Sequence, residues 1–167
     1  FGGSQGSAYL NQMMSQVAET ISGAGIQVLW QTGDLEYVKY KSLESDSIRI
    51  VPFVNNMADA YAISDLLVCR SGALTLAEIT VCGKPAILIP FPHAAGNHQQ
   101  KNAEALVKSG AAKILFEKSL TPKVLMHAIM NLIHNKEKLN NMGLASKELG
   151  RPNATTEIVD HILGKAQ

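Results

Sequence analysis

One carboxylate, Glu78, interrupts a stretch in which Leu74, Leu76, Ala77, Ile79 and Val81 are apolar. Burying a carboxylate is costly unless it is paired. Two arrangements would satisfy it: a vicinal diol such as a ribose, held by charge-assisted hydrogen bonds, or a structural ion pair with Arg70 or Lys84. The opening, Phe1-Gly2-Gly3-Ser4-Gln5-Gly6-Ser7, leads into a second candidate, because Leu10, Met13, Met14, Val17, Ala18 and Ile21 after it share one helical face. Glycines before a helix let backbone approach a ligand. The first N–H groups of that helix lack partners and carry the positive end of its dipole. Such a place suits a phosphate, and equally a plain strand-to-helix turn. Gly2-Gly3-Ser4-Gln5-Gly6 also matches the G-x-S-x-G of a serine nucleophile elbow. That elbow follows earlier strands and an oxyanion loop, which this sequence does not place before it, and the spacing departs from G-x-G-x-x-G. The phosphate cradle is the better reading.

A third group lies in the loop from Pro90 to Gln100. Gln99 and Gln100 can donate and accept, as sugar hydroxyls require, although paired glutamines also suit a solvated helix start. His93 and His98 have the chemistry of acid/base groups or ligands, but lone loop histidines usually serve as neither. His127, His134 and His161 lie among polar neighbours and read as surface residues.

These residues are positioned by an almost unbroken alternation of short apolar strands and helices. Residues 27–31, 48–51, 65–69, 86–90 and 112–116 read as strands, which predicts an α/β fold with a doubly wound parallel sheet covered on both faces. The first helix is expected to be continuous. A short helix after Gly33 should turn Leu35 and Val38 inward, and Asn56 should cap the next one. The helix from Leu74 to Cys82, apolar nearly all round, is expected to be buried. Thr121-Pro122 caps a later helix, and a final one after Arg151-Pro152-Asn153 presents Ile158, Val159, Ile162 and Leu163. Ligands of open parallel sheets bind beyond the carboxyl ends of the strands. The glycine-rich opening, Pro52-Phe53-Val54, Arg70-Ser71-Gly72-Ala73 and Pro90 to Gln100 all fall there.

Composition narrows the classes. At 167 residues the chain suits one domain, residues 1–167. Its 15 Lys+Arg against 14 Asp+Glu imply no basic face for nucleic acid. No apolar run is long enough to span a membrane and no secretory signal is present, so the expectation is a cytoplasmic protein without a transmembrane segment. Cys69 and Cys82 read as reduced core thiols. No Asp-x-Asp motif suggests a metal, and no cofactor is expected. The opening reads as the end of a strand, so the chain is expected to be part of something larger.

Three motifs occur in order: Phe1-Gly2-Gly3-Ser4-Gln5-Gly6; Cys69-Arg70-Ser71-Gly72-Ala73-Leu74-Thr75-x-x-Glu78; and Pro90-Phe91-Pro92-His93-Ala94-Ala95-x-x-His98-Gln99-x-x-Asn102-Ala103. Together they resemble the carboxyl-terminal domain of the MurG family, and the resemblance covers essentially the whole chain. It implies the Rossmann-like, donor-binding half of an inverting GT-B glycosyltransferase. Such enzymes move N-acetylglucosamine from UDP-N-acetylglucosamine onto lipid I, making lipid II of peptidoglycan, at the inner face of the bacterial membrane. By this resemblance Gly3, Ser4, Gln5 and Gly6 contact the donor. The main chain of Val54 reads the uracil edge, with Phe53 and Met57 packing nearby. Glu78 holds the ribose, the Ser71-Gly72-Ala73 helix start faces the diphosphate, and Gln99 and Gln100 contact the sugar. Arg70, Leu74 and His93 belong to the same matched motifs and join the donor contacts. The acceptor lipid and the general base are expected in an amino-terminal domain outside this sequence, and the isolated chain is expected to be inactive. Three rival readings are a donor subunit working with a separately encoded acceptor subunit, a serine hydrolase using Ser4, and a UDP-sugar epimerase of related fold.

Overall fold

The computed structural model describes residues 1–2 and 6–164. Its strands are β1 (Val28–Gln31), β2 (Ile48–Val51), β3 (Leu67–Cys69), β4 (Ala86–Leu88) and β5 (Ala112–Ile114). Every pairing between these strands is parallel, with Val28 opposite Ile48, Leu67 opposite Ala86, and Ala86 opposite Ala112. The strands form a β1–β2 pair and a β3–β4–β5 sheet. Phe1 lies along the outer edge of β3, where its amino group donates to the Val68 carbonyl at 2.7 Å.

The helices are α1 (Ala8–Ser15), α2 (Ala18–Gly23), α3 (Asp34–Tyr40), α4 (Met57–Ile63), α5 (Ala73–Val81), α6 (His98–Lys108), α7 (Pro122–Ile133), α8 (Lys136–Glu148) and α9 (Ala154–Ile162). Alternation along β4 shows why the order β-α-β-α folds this way. Ile87, and Ile89 just beyond the strand, enter a core with Leu10, Met13, Val17 and Ile21 of the first helical segment and Leu125, Ile129 and Leu132 of α7. Ala86 and Leu88 face the opposite way, toward Tyr61 of α4, Leu76 and Ile79 of α5, and Ala103 and Leu106 of α6. Successive strand residues point to opposite faces, so a continuous apolar run requires helices on both sides. A third cluster, Ala18, Trp30, Tyr40, Ile48 and Ile50, closes the β1–β2 end.

Several expectations are corrected. The first helix breaks near Gln16 and Val17 into α1 and α2, yet Val17 and Ile21 keep the same buried face. Leu35 and Val38 point outward, at 97% and 83% exposure. The inward side of α3 is aromatic instead, and Tyr40 stacks on Trp30 with ring centroids 5.1 Å apart. Helix α5 is buried on one side only: Leu76, Ile79 and Thr80 are covered while Leu74 and Val81 are exposed. Helix α9 forms as expected, but its residues Ile158, Val159 and Ile162, with Leu163 just past it, are exposed.

The cysteines separate as well. Cys69 is buried and Cys82 exposed, both as free thiols, so only Cys69 is a core thiol. Burial pushes the Cys69 thiol up to about 12, and the thiolate is the reactive form. A maleimide at neutral pH is therefore expected to modify one thiol per native chain and two in denaturant, with mass mapping assigning the first to Cys82. Rapid native labelling of Cys69 would contradict this burial.

Candidate functional site

The carboxyl ends of the strands bring the sequence-selected segments to one edge. Gly6, just before α1, has φ of 73°, and a Cβ there would overlap the carbonyl oxygen of Thr32 beyond β1. Glycine is needed twice over, for the left-handed backbone and for the close approach. The positions Gly3, Ser4 and Gln5 lie outside the described residues. Ser7 caps α1 by accepting from Leu10 N.

Arg70 joins these segments. Its Nη1 donates to the carbonyls of Ile89 and Pro90 at 3.1 and 3.2 Å. Its Nη2 donates to Ser7 Oγ at 2.9 Å and forms an ion pair with Glu117. The guanidinium also lies 5.4 Å from the Phe91 ring centroid, within cation–π range. Both members of the ion pair are mostly covered, with side chains 9% and 17% exposed. Arg70 thus ties the opening, the turn after β3, the loop after β4 and the turn after β5 to one another. Its two terminal nitrogens are spent on protein.

The next two residues continue this wiring. Ser71 is fully buried; its hydroxyl donates to the Gln99 carbonyl at 2.8 Å, and its carbonyl accepts from Asn102 Nδ2. Gln99 Oε1 accepts from Phe91 N at 3.0 Å and from Ser71 N at 3.4 Å. The amide Nε2 of Gln99 has no hydrogen-bond partner among the described residues and remains a donor at the site. Helix α5 starts beside it at Gly72, with no side-chain cap. Its first N–H groups therefore present unpaired donors and the positive end of the dipole.

Glu78, one turn further along α5, is half-buried. Neither proposed ion pair forms: Arg70 takes Glu117, and Lys84 Nζ donates to the Ala62 and Ser64 carbonyls. The carboxylate instead accepts a hydrogen bond from the hydroxyl of buried Tyr61, 2.7 Å from Glu78 Oε2.

Beyond β2, Val54 N donates to Gln31 Oε1 at 3.0 Å. Phe53 is about half exposed, and Met57 packs against the α4–α5 core. Leu74 and His93 are exposed, the latter with its ring edge-on to Phe91. Gln100 is exposed and donates to Glu104.

Four residues that hold the candidate site's segments escaped the sequence reading. Tyr61 and Glu117 partner the two charged residues that were singled out. Gln31 holds Val54. Buried Asn11 accepts from Trp30 Nε1 at 2.9 Å and donates to the Thr32 carbonyl at 2.8 Å. Asn11 carried a readable signal, a polar residue inside the apolar stripe of α1; the others needed contacts between elements. Two grooves, of about 510 and 710 Å³, flank α8 away from these loops. No group of three or more His, Cys, Asp or Glu side chains converges as a metal centre, and no helix is long and apolar enough to cross a membrane, among the described residues.

Residues 1–158 match the model of the glycosyltransferase family 28 C-terminal domain. The chain is 41% identical over 165 residues to the UDP-N-acetylglucosamine–N-acetylmuramyl-(pentapeptide) pyrophosphoryl-undecaprenol N-acetylglucosamine transferase of Bacillus cytotoxicus, covering 96% of this chain and 45% of that protein. It is also 41% identical to the enzyme of the same description from Geobacter sulfurreducens, covering 100% and 47%. The chain thus spans under half the length of these curated relatives. The crystal structure of Acinetobacter baumannii MurG superposes with a TM-score of 0.85 at 32% identity, covering 98% of this chain and 48% of that one. A Staphylococcus aureus MnaA–UDP structure shares the fold at a TM-score of 0.72 and 16% identity, covering 96% and 43%. The chain belongs to glycosyltransferase family 28, whose carboxyl-terminal, Rossmann-like α/β domain it forms.

Proposed function

We propose that the chain is the UDP-N-acetylglucosamine-binding domain of an inverting N-acetylglucosaminyltransferase that converts lipid I to lipid II in peptidoglycan synthesis. The observation that carries the reading is the uncapped start of α5 between Gln99 and Glu78, in a chain 41% identical to transferases of that description. The diphosphate lies against the α5 N-terminus, Glu78 takes the ribose diol, and Gln99 Nε2 meets the sugar. Phe53, Val54 and Met57 face the base. An acceptor hydroxyl attacks C1 of the sugar as the bond from C1 to the diphosphate oxygen breaks. The electron pair leaves with UDP, whose new charge the α5 N–H groups stabilise. On this reading the acceptor site and the base that takes the hydroxyl proton lie outside these 167 residues, and transfer takes place at the cytoplasmic membrane face.

Calorimetry and a radiolabelled transfer assay on one preparation test this. UDP and UDP-N-acetylglucosamine are expected to bind the 167-residue chain weakly, since contacts and water exclusion from the rest of the site are lost. Transfer to lipid I is expected to be undetectable, because positioning and base catalysis are both lacking. No UDP binding at millimolar ligand would overturn the donor-domain reading, and robust transfer would overturn the division of labour.

A further inference from the structure

Among the described residues, Tyr61 is the side chain that fixes Glu78. It lies on α4, one turn after Met57, and is 2% exposed. Its ring packs edge-on against Phe1, with centroids 6.3 Å apart, and only its hydroxyl reaches the site, donating to Glu78 Oε2 at 2.7 Å. A carboxylate accepts about four hydrogen bonds. Anchoring one oxygen sets the plane of the group and leaves Oε1 without a partner among the described residues. Among the described residues no cation pairs with Glu78, since Arg70 and Lys84 are engaged elsewhere. The Lys84 bonds also pin the end of α4 to the turn after α5, so phenol and carboxylate approach from two fixed helices. Burial, then the bond to Glu78, pushes the Tyr61 ionisation far up, keeping the phenol protonated as a donor.

We infer that Tyr61 is a positioning residue that sets the preference for a ribonucleotide over a deoxyribonucleotide, by holding Glu78 with one oxygen turned to the ligand diol. This rests on the proposal that Glu78 takes the ribose. Tyr61 shares α4 with Met57, and α4 follows the Phe53-Val54 segment after two residues, so one helix carries both the Glu78 anchor and a residue beside the proposed base segment.

The test measures affinities for UDP and 2′-deoxy-UDP in wild type, Tyr61→Phe, Glu78→Ala and the double variant. Tyr61→Phe keeps the ring and removes only the hydroxyl. It is expected to lower the UDP/2′-deoxy-UDP affinity ratio about three- to tenfold, less than the roughly ten- to hundredfold of losing a hydrogen bond to a charged group outright, because Glu78 stays and loses only its anchor. In the Glu78→Ala background the same change should leave the ratio as it is. A structural role alone would move the melting temperature and not the ratio. An unchanged ratio in Tyr61→Phe, with Glu78→Ala lowering it, would overturn the positioning role and leave the ribose assignment standing. An unchanged ratio in Glu78→Ala would overturn both.

Discussion

Arg70→Met is expected to lower the free energy of unfolding by about 3–5 kcal/mol, the range for removing one partner of a buried ion pair. The loss exceeds that of a surface pair, typically below about 1 kcal/mol, because Glu117 would remain mostly covered with no cation. The Ile89 and Pro90 carbonyls and Ser7 Oγ would lose donors at the same time. Pairing the change with Glu117→Leu separates the causes. If the cost is chiefly an uncompensated charge, the double variant should recover much of the stability, since apolar replacement of a buried pair is often near neutral. Urea unfolding with a common slope measures both. A loss under about 1 kcal/mol for Arg70→Met would remove the clamp from the account. The double variant should still bind UDP less well than wild type, because stability returns without the ties that hold four loops in register.

What the sequence made legible divides along physical lines. Local signals were read well: Asn56 and Thr121 cap their helices through side-chain bonds to Asp59 N and Val124 N, and the apolar run near Ile87 is a strand covered on both faces. Periodicity marks which residues share a face; it does not say whether anything covers that face. Leu35, Val38 and the apolar side of α9 are regular and exposed. For α5 an all-round apolar sequence does not imply burial: the side that carries Leu74, Ala77 and Val81 is exposed along the length of the helix. At the site, convergence was legible from the rule that ligands of parallel sheets lie beyond the strand ends. Pairing was not: Arg70 and Glu117 are 47 positions apart, and only the β3–β4–β5 order places the turns after β3 and β5 at one edge. Val54 illustrates the same limit, since its N–H was read as a base-recognition group and in the structure already donates to Gln31. Uracil recognition through that N–H would require Gln31 to yield it.

Glu78→Ala is expected to weaken UDP binding by about 1.5–3 kcal/mol, the range for hydrogen bonds to a charged group, or roughly ten- to a hundredfold. Stability cannot decide the role of this residue. The substitution strands the buried Tyr61 hydroxyl, and an unsatisfied buried donor costs about 1–3 kcal/mol whatever the ligand does. Glu78→Gln removes that ambiguity, because its amide oxygen can still accept from Tyr61 while the negative charge is lost. Its melting temperature should stay near wild type, and its UDP affinity should fall between those of wild type and Glu78→Ala. The decisive reading compares UDP with its 2′,3′-dideoxy analogue. Wild type should prefer UDP strongly, Glu78→Gln less so, and Glu78→Ala hardly at all, while affinity for the dideoxy analogue changes little across the series. Equal preference for UDP in all three proteins would show that the carboxylate serves the α4–α5 contact alone. The ribose would then have to be held from another of the loops that Arg70 gathers.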